Sequence, residues 1–159
     1  MLSAEDNELL TRTGPETAMG QYFRRFWQPV ALSRELAEPD GTPVRVDILG
    51  EEFVAFRDST GTLGLLDARC PHRGAHLFYG RNEECGLRCV YHGWKFAADG
   101  TAVDLPNVPA GAPMHDTMRI GSYPVEERAE FVWAFLGPPE GPIPEPPDLE
   151  FSMVRSDHR

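Results

Sequence analysis

The stretch CPHRGAH, residues 70–76, places a cysteine two residues before one histidine and six before another. A second stretch, CVYHGW at 89–94, places a cysteine three residues before a histidine. Cys70 and His72 make C-x-H, Cys89 and His92 make C-x2-H, and sixteen residues, Arg73 to Arg88, separate the pairs. Two thiolates and two imidazoles can hold one zinc ion tetrahedrally, or the two irons of a [2Fe-2S] cluster asymmetrically. Common zinc sites draw Cys with Cys and His with His from each local pair. Here each Gly-containing loop supplies one of each, which suits a cluster clamped between two similar loops. A zinc-stabilised binding module stays as the alternative.

Outward from these loops the chain alternates with period two. PVRVDIL puts Val44, Val46 and Ile48 on one side, EEFVAFRD follows Gly50, and TLGLLDA follows the turn DSTGT and runs into Cys70. Beyond the second loop, WKFAADGTAVDL predicts a hairpin across Asp99-Gly100, and MRIGSYPVEER and EFVWAFLG predict two more strands. The fold class is therefore mainly β and antiparallel. A short helix is expected over residues 3–12, with Ser3 and Asp6 forming a capping box. Met19, Tyr22, Phe23, Phe26 and Trp27 recur at helical spacing and predict one apolar helix face packed on the body, ended by Pro29.

The segment GPPEGPIPEPP, residues 137–147, carries six prolines and predicts a semi-rigid extended linker. It leads to DLEFSMVRSDHR, whose Phe151, Met153 and Val154 are too few to form a core. This tail either folds back or opens a further domain, and the second reading is preferred. The expected organisation is an N-terminal helical extension over 1–42, the ligand-bearing domain over 43–137, and over 138–159 a Pro-rich linker with the start of a further domain.

Composition narrows the function. With 159 residues, 41% hydrophobic and 25% charged, the chain can bury one real core. Fifteen Gly and fifteen Pro predict many turns and little long helix. The formal charge of −10 argues against nucleic acid and anionic membranes as partners. No run of about 18 apolar residues occurs. The start MLSAEDNELL lacks a basic secretory leader, and three cysteines (Cys70, Cys85, Cys89) make an odd count, so a reducing cytoplasm with metal or redox chemistry is expected.

CPHRGAHL and CVYHGWKF resemble the two cluster loops of the Rieske family, and specifically of aromatic-ring-hydroxylating oxygenases. The resemblance covers residues 43–137 as the Rieske domain. It extends over MGQYFRRFWQPVA, which is similar to the opening of phthalate-dioxygenase-type large subunits. It implies a Rieske-type antiparallel β fold in which Cys70 and Cys89 hold an inner iron and His72 and His92 an outer one. His72 then fills the ligand position of the first loop. His76 is read as a surface group or a neighbour of the ligands, and Cys85 as a small buried or semi-exposed free thiol. Arg73 and Tyr91 are expected beside the ligands and Trp94 beside the second loop, with ordinary packing an equal alternative for each.

Respiratory Rieske proteins carry an extra cysteine in each loop and a hydroxyl two residues after the second ligand histidine. The matching residues here are Ala75, Tyr91 and Trp94. Fewer hydrogen bonds to sulfur imply a potential low in the Rieske range of about −150 to +300 mV. By resemblance, the chain takes electrons from a flavin-containing or iron–sulfur reductase or a ferredoxin. It passes them to a mononuclear non-haem Fe(II), held by two His and a carboxylate in a catalytic domain outside this sequence, within a homotrimer or other homo-oligomer. Only His115 and His158 follow the cluster loops, and they are read as a surface-loop residue and a terminal one. A free-standing Rieske ferredoxin is the rival reading; the N-terminal extension and the Pro-rich segment stand against it.

Overall fold

The computed structural model describes residues 1–138 and 141–150. Two short helices open the chain, α1 (Ala4–Thr11) and α2 (Ala18–Phe23). Ser3 caps α1: its Oγ accepts the Asp6 N–H at 3.0 Å and donates to the Asp6 carboxylate at 2.7 Å. Among the described residues ten strands follow in chain order: β1 (Trp27–Leu32), β2 (Val44–Ile48), β3 (Glu51–Arg57), β4 (Leu63–Asp67), β5 (Arg81–Glu83), β6 (Gly86–Arg88), β7 (Lys95–Phe96), β8 (Ala102–Asp104), β9 (Val125–Arg128) and β10 (Phe131–Phe135), with a one-turn helix α3 (Met114–Thr117) before β9. They form three antiparallel sheets, ordered β1-β10-β9, β2-β3-β4 and β5-β6-β7-β8.

The β2-β3-β4 sheet is the middle layer, and side-chain alternation makes it so. In β3, Phe53 and Ala55 enter a core shared with Val132 and Ala134 of β10, while Val54 and Phe56 enter a second core shared with Leu87 and Phe96. In β4, Leu65 and Leu66 divide in the same way. The second core also contains Cys70, Cys89 and Trp94, so the paired-ligand loops sit directly on it.

Three expectations are corrected. The apolar helix face ends early: α2 stops at Phe23, and Trp27 and Pro29 belong to β1. Pro29 is tolerated because β1 is an edge strand paired only with β10, with a register irregularity between Pro29 and Ala31. Tyr22, Phe23 and Phe26 are exposed, so they do not form a packed face; only Gly20 of α2 is buried. In MRIGSYPVEER only Val125–Arg128 is strand; Arg119 and Ser122 make single bridges, to Thr101 and Leu66. The β5–β6 hairpin was not anticipated. Its turn residues, Glu84 and Cys85, both adopt left-handed φ (48° and 61°) without the usual Asn-Gly signature.

Residues 144–149, at the end of the Pro-rich segment, lie across the β1-β10-β9 sheet. The Trp27 indole donates to the Pro144 carbonyl at 2.6 Å, Arg128 donates to Pro146 at 2.7 Å and pairs with Asp148 at 3.0 Å, and Leu149 packs on Trp27, Trp133 and Phe135. Phe151, Met153, Val154 and His158 lie outside the described residues.

Candidate metal centre

The two ligand loops share one backbone frame. The first, 70–75, is closed at its base by the Arg69–His76 bridge, and the second, 89–94, by the Arg88–Lys95 pair between β6 and β7. In the first, the Cys70 N–H donates to the Ala75 carbonyl at 2.9 Å and the Gly74 N–H to the Cys70 carbonyl at 2.8 Å. In the second, the Cys89 N–H donates to Trp94 at 2.8 Å and the Gly93 N–H to Cys89 at 3.1 Å. Gly74 and Gly93 sit at φ 70° and 77°, a turn that side chains with a Cβ rarely adopt.

These equivalent frames bring the donors together as two pairs. Cys70 and Cys89 are buried at 2% and 3% exposure, side by side. Burial, reinforced by the adjoining Cys89 thiol, pushes the Cys70 thiol up to about 11, so iron binding there must release the Cys70 proton. His72 and His92 are half-exposed, with ring centroids 4.6 Å apart. Partial burial, then the charges of His92 and Arg73, hold His72 below the usual histidine range, leaving it neutral and able to ligate. His92 Nδ1 is buried and has no hydrogen-bond partner among the described residues. A buried nitrogen without a partner is costly, and a metal on that side would satisfy it. Among the described residues, no three His, Cys, Asp or Glu side chains gather around one point. The donor set, two buried thiols and two half-exposed imidazoles, fits a [2Fe-2S] cluster with one iron toward the core and one toward the surface.

The neighbouring residues fall into place unevenly. Trp94 belongs to the second loop but stacks flat on His72 of the first, at 4.5 Å and 4°, and its indole donates to Asn107 Oδ1 at 2.6 Å. Tyr91 is exposed and its ring leans on His92 at 3.8 Å. Arg73 is exposed and acts on His72 through its charge. His76 is not a surface group: it is 7% exposed, and its Nδ1 accepts the Phe78 N–H at 3.2 Å, capping a 3-10 turn at Leu77–Tyr79. Cys85 is exposed at the β5–β6 turn, away from the core that holds the other thiols. His115 is half-exposed within α3. Sequence reading missed Asn107 and Arg88. Asn107 is distant in sequence from any motif. Arg88 repeats the Arg-Cys dipeptide of Arg69-Cys70, a signal visible in the chain.

The family model for the Rieske [2Fe-2S] domain matches residues 26–124. The phthalate 4,5-dioxygenase oxygenase subunit of Pseudomonas putida is 48% identical over 145 residues, which are 91% of this chain and 33% of that protein. Dicamba monooxygenase, solved with non-heme iron and dicamba, superposes with a TM-score of 0.70 at 30% identity, over 83% of this chain and 39% of that one. The reduced complex between oxygenase and ferredoxin in carbazole 1,9a-dioxygenase matches with a TM-score of 0.63 at 31% identity, over 79% and 31%. The chain thus spans about a third of the length of the curated relatives it matches. Paired loops, paired donors and a family match that runs from before β1 to the approach of β9 lead to one conclusion: the chain belongs to the Rieske [2Fe-2S] domain family.

Proposed function

We propose that this chain is the electron-input part of the oxygenase subunit of a ring-hydroxylating oxygenase. In this reading Cys70 and Cys89 hold the inner iron and His72 and His92 the outer one. When bound, the cluster supplies one-electron chemistry at a low Rieske potential. The chain's own residues bury the sulfur side, keep water from it with Leu77, Leu87 and Phe96, and leave the imidazole side open to a partner. Trp94, anchored by Asn107, holds the plane of His72, and Tyr91 shields one face of His92.

The observation that carries the proposal is the likeness to an oxygenase subunit over 91% of the chain, more than the residues 26–124 that the Rieske domain model matches. The donor is a ferredoxin or a flavin-containing reductase, and the acceptor a mononuclear non-haem iron in a catalytic domain outside these residues. The substrate class is an aromatic acid, and the setting a cytoplasmic homotrimer or other homo-oligomer. Residues 43–137 form the cluster domain, 1–42 an extension docked on it through β1, and 138–159 the passage to the catalytic domain. Among the described residues no helix is long and apolar enough to cross a membrane.

Iron and acid-labile sulfide, counted per chain on protein from its natural source, test the reading. Three irons with two sulfides on a longer chain carrying this segment support it. Two irons and two sulfides on a chain of this length favour the ferredoxin reading. A colourless protein with one zinc overturns both.

A further inference from the structure

Both ligand cysteines follow an arginine, and the two arginines have unlike surroundings. Arg69, before Cys70, is 58% exposed in its side chain and, among the described residues, pairs only with the exposed Glu52, at 2.8 Å. Arg88, before Cys89, is 17% exposed and reaches three separate pieces of the fold. Its Nε donates to Glu83 of β5 at 2.6 Å, its Nη1 to Asp104 of β8 at 2.7 Å, and the same Nη1 to the Gly93 carbonyl at 2.7 Å. Gly93 follows His92 and closes the second loop onto Cys89. One guanidinium therefore ties the start of the loop, the carbonyl next to its histidine, and strands β5 and β8. Asp104, followed by Glu83, stabilises its charge against the cost of burial. A cavity of about 220 Å³ lined by Arg81, Arg88, Cys89, Val90 and Gly93 lies alongside, so the loop has room to shift once the tie is cut.

We propose that Arg88 is the positioning residue of the second ligand loop: through Gly93 it fixes Cys89 and His92 in ligand geometry, a role that Arg69 does not play in the first loop. The inference rests on the Rieske reading of the four ligands and extends it to a residue outside the motif. Arg88 touches no reacting atom; it acts by holding the loop backbone. The first loop has a substitute, because Trp94 stacks on His72.

The test uses the intact, cluster-loaded protein with Arg88→Met, Arg88→Lys and the control Arg69→Gln. Cluster release to the iron chelator bathophenanthroline is followed by loss of visible absorbance, with far-UV circular dichroism as the check on folding. The reduced-state EPR spectrum and the midpoint potential report ligand geometry. Charge-assisted hydrogen bonds of this kind predict release at least about tenfold faster in Arg88→Met, with shifted EPR g values. Arg88→Lys should recover part of this, and Arg69→Gln should stay within about twofold of the parent, as exposed pairs contribute little. Equal release in Arg88→Met and Arg69→Gln overturns the proposal. Faster release with an unchanged EPR spectrum also overturns it, since Arg88 would then merely stabilise the fold. Should Arg88→Met fail to fold, Arg88→Lys and Asp104→Asn decide: parent-like release and EPR in both overturn the proposal, and faster release with shifted g values supports it. Absence of a Rieske spectrum from the parent protein would instead defeat the ligand reading itself.

Discussion

Gly64 and Phe56 are cross-strand partners in the middle sheet, and a methyl group at Gly64 tests the packing beneath the metal centre. A Cβ there would lie 2.6 Å from Phe56 Cε1, 2.8 Å from Phe56 Cζ and 3.0 Å from Ala98 Cα. Phe56 is 0% exposed in the core that contains Cys70, Cys89 and Trp94, so its ring has no free space to enter. Overpacking of this kind costs about 1–3 kcal/mol. Replacing glycine in a strand returns about 0.5–1 kcal/mol of backbone entropy. A 2.6 Å approach puts this site in the upper half of the overpacking range, about 2–3 kcal/mol, so Gly64→Ala should destabilise by about 1–2.5 kcal/mol. Phe56→Leu alone loses ring contacts and costs about 1–3 kcal/mol, but it vacates the space that the methyl needs. The double variant should be more stable than the sum of the two by about 1 kcal/mol. Urea unfolding followed by tryptophan fluorescence, on proteins of equal iron content, measures all three. Additivity within about 0.5 kcal/mol, or a neutral Gly64→Ala, would refute the claim that the ring occupies the glycine's side-chain space.

Other outcomes follow from the site and its frame. His72→Ala and His92→Ala should each abolish the Rieske EPR signal, while Cys85→Ser, at an exposed turn, should leave it unchanged; loss of the cluster in Cys85→Ser would sink the ligand set. Trp27→Phe removes the donor to Pro144 and should cost about 1 kcal/mol. It should also speed amide exchange across residues 141–150, and identical exchange would mean that the segment is held without Trp27. The Arg57 guanidinium holds Glu127, and the Arg88 guanidinium holds Glu83, below the usual carboxylate value of 4.5. A carboxylate lowered on folding stabilises the protein above its unfolded value, and that stability is lost as pH falls through its folded value. Stability should thus fall as pH drops below 4.5, and Glu127→Gln should flatten the slope; a parallel acid transition would remove Arg57 from the account.

The family was legible in the chain because the cluster motif depends on residue type and spacing. C-x-H and C-x2-H name the proposed donors, and period-two alternation through residues 44–67 names the three strands of the middle sheet that lead into the first loop. What alternation cannot say is that both faces of a strand are buried. The neighbours of Val54 and Phe56 come from β6 and β7, and those of Phe53 and Ala55 from β10, far away in sequence. Trp27 illustrates the opposite failure. Its spacing from Phe23 fits a helix, yet pairing with Phe135 makes it strand, since a non-local ladder outweighs a weak local preference. Likewise, Arg69 and Arg88 are the same residue in the same place before a cysteine. Only the tertiary structure decides that one faces water while the other ties three strands and a ligand loop, because burial is set by what β5 and β8 bring alongside.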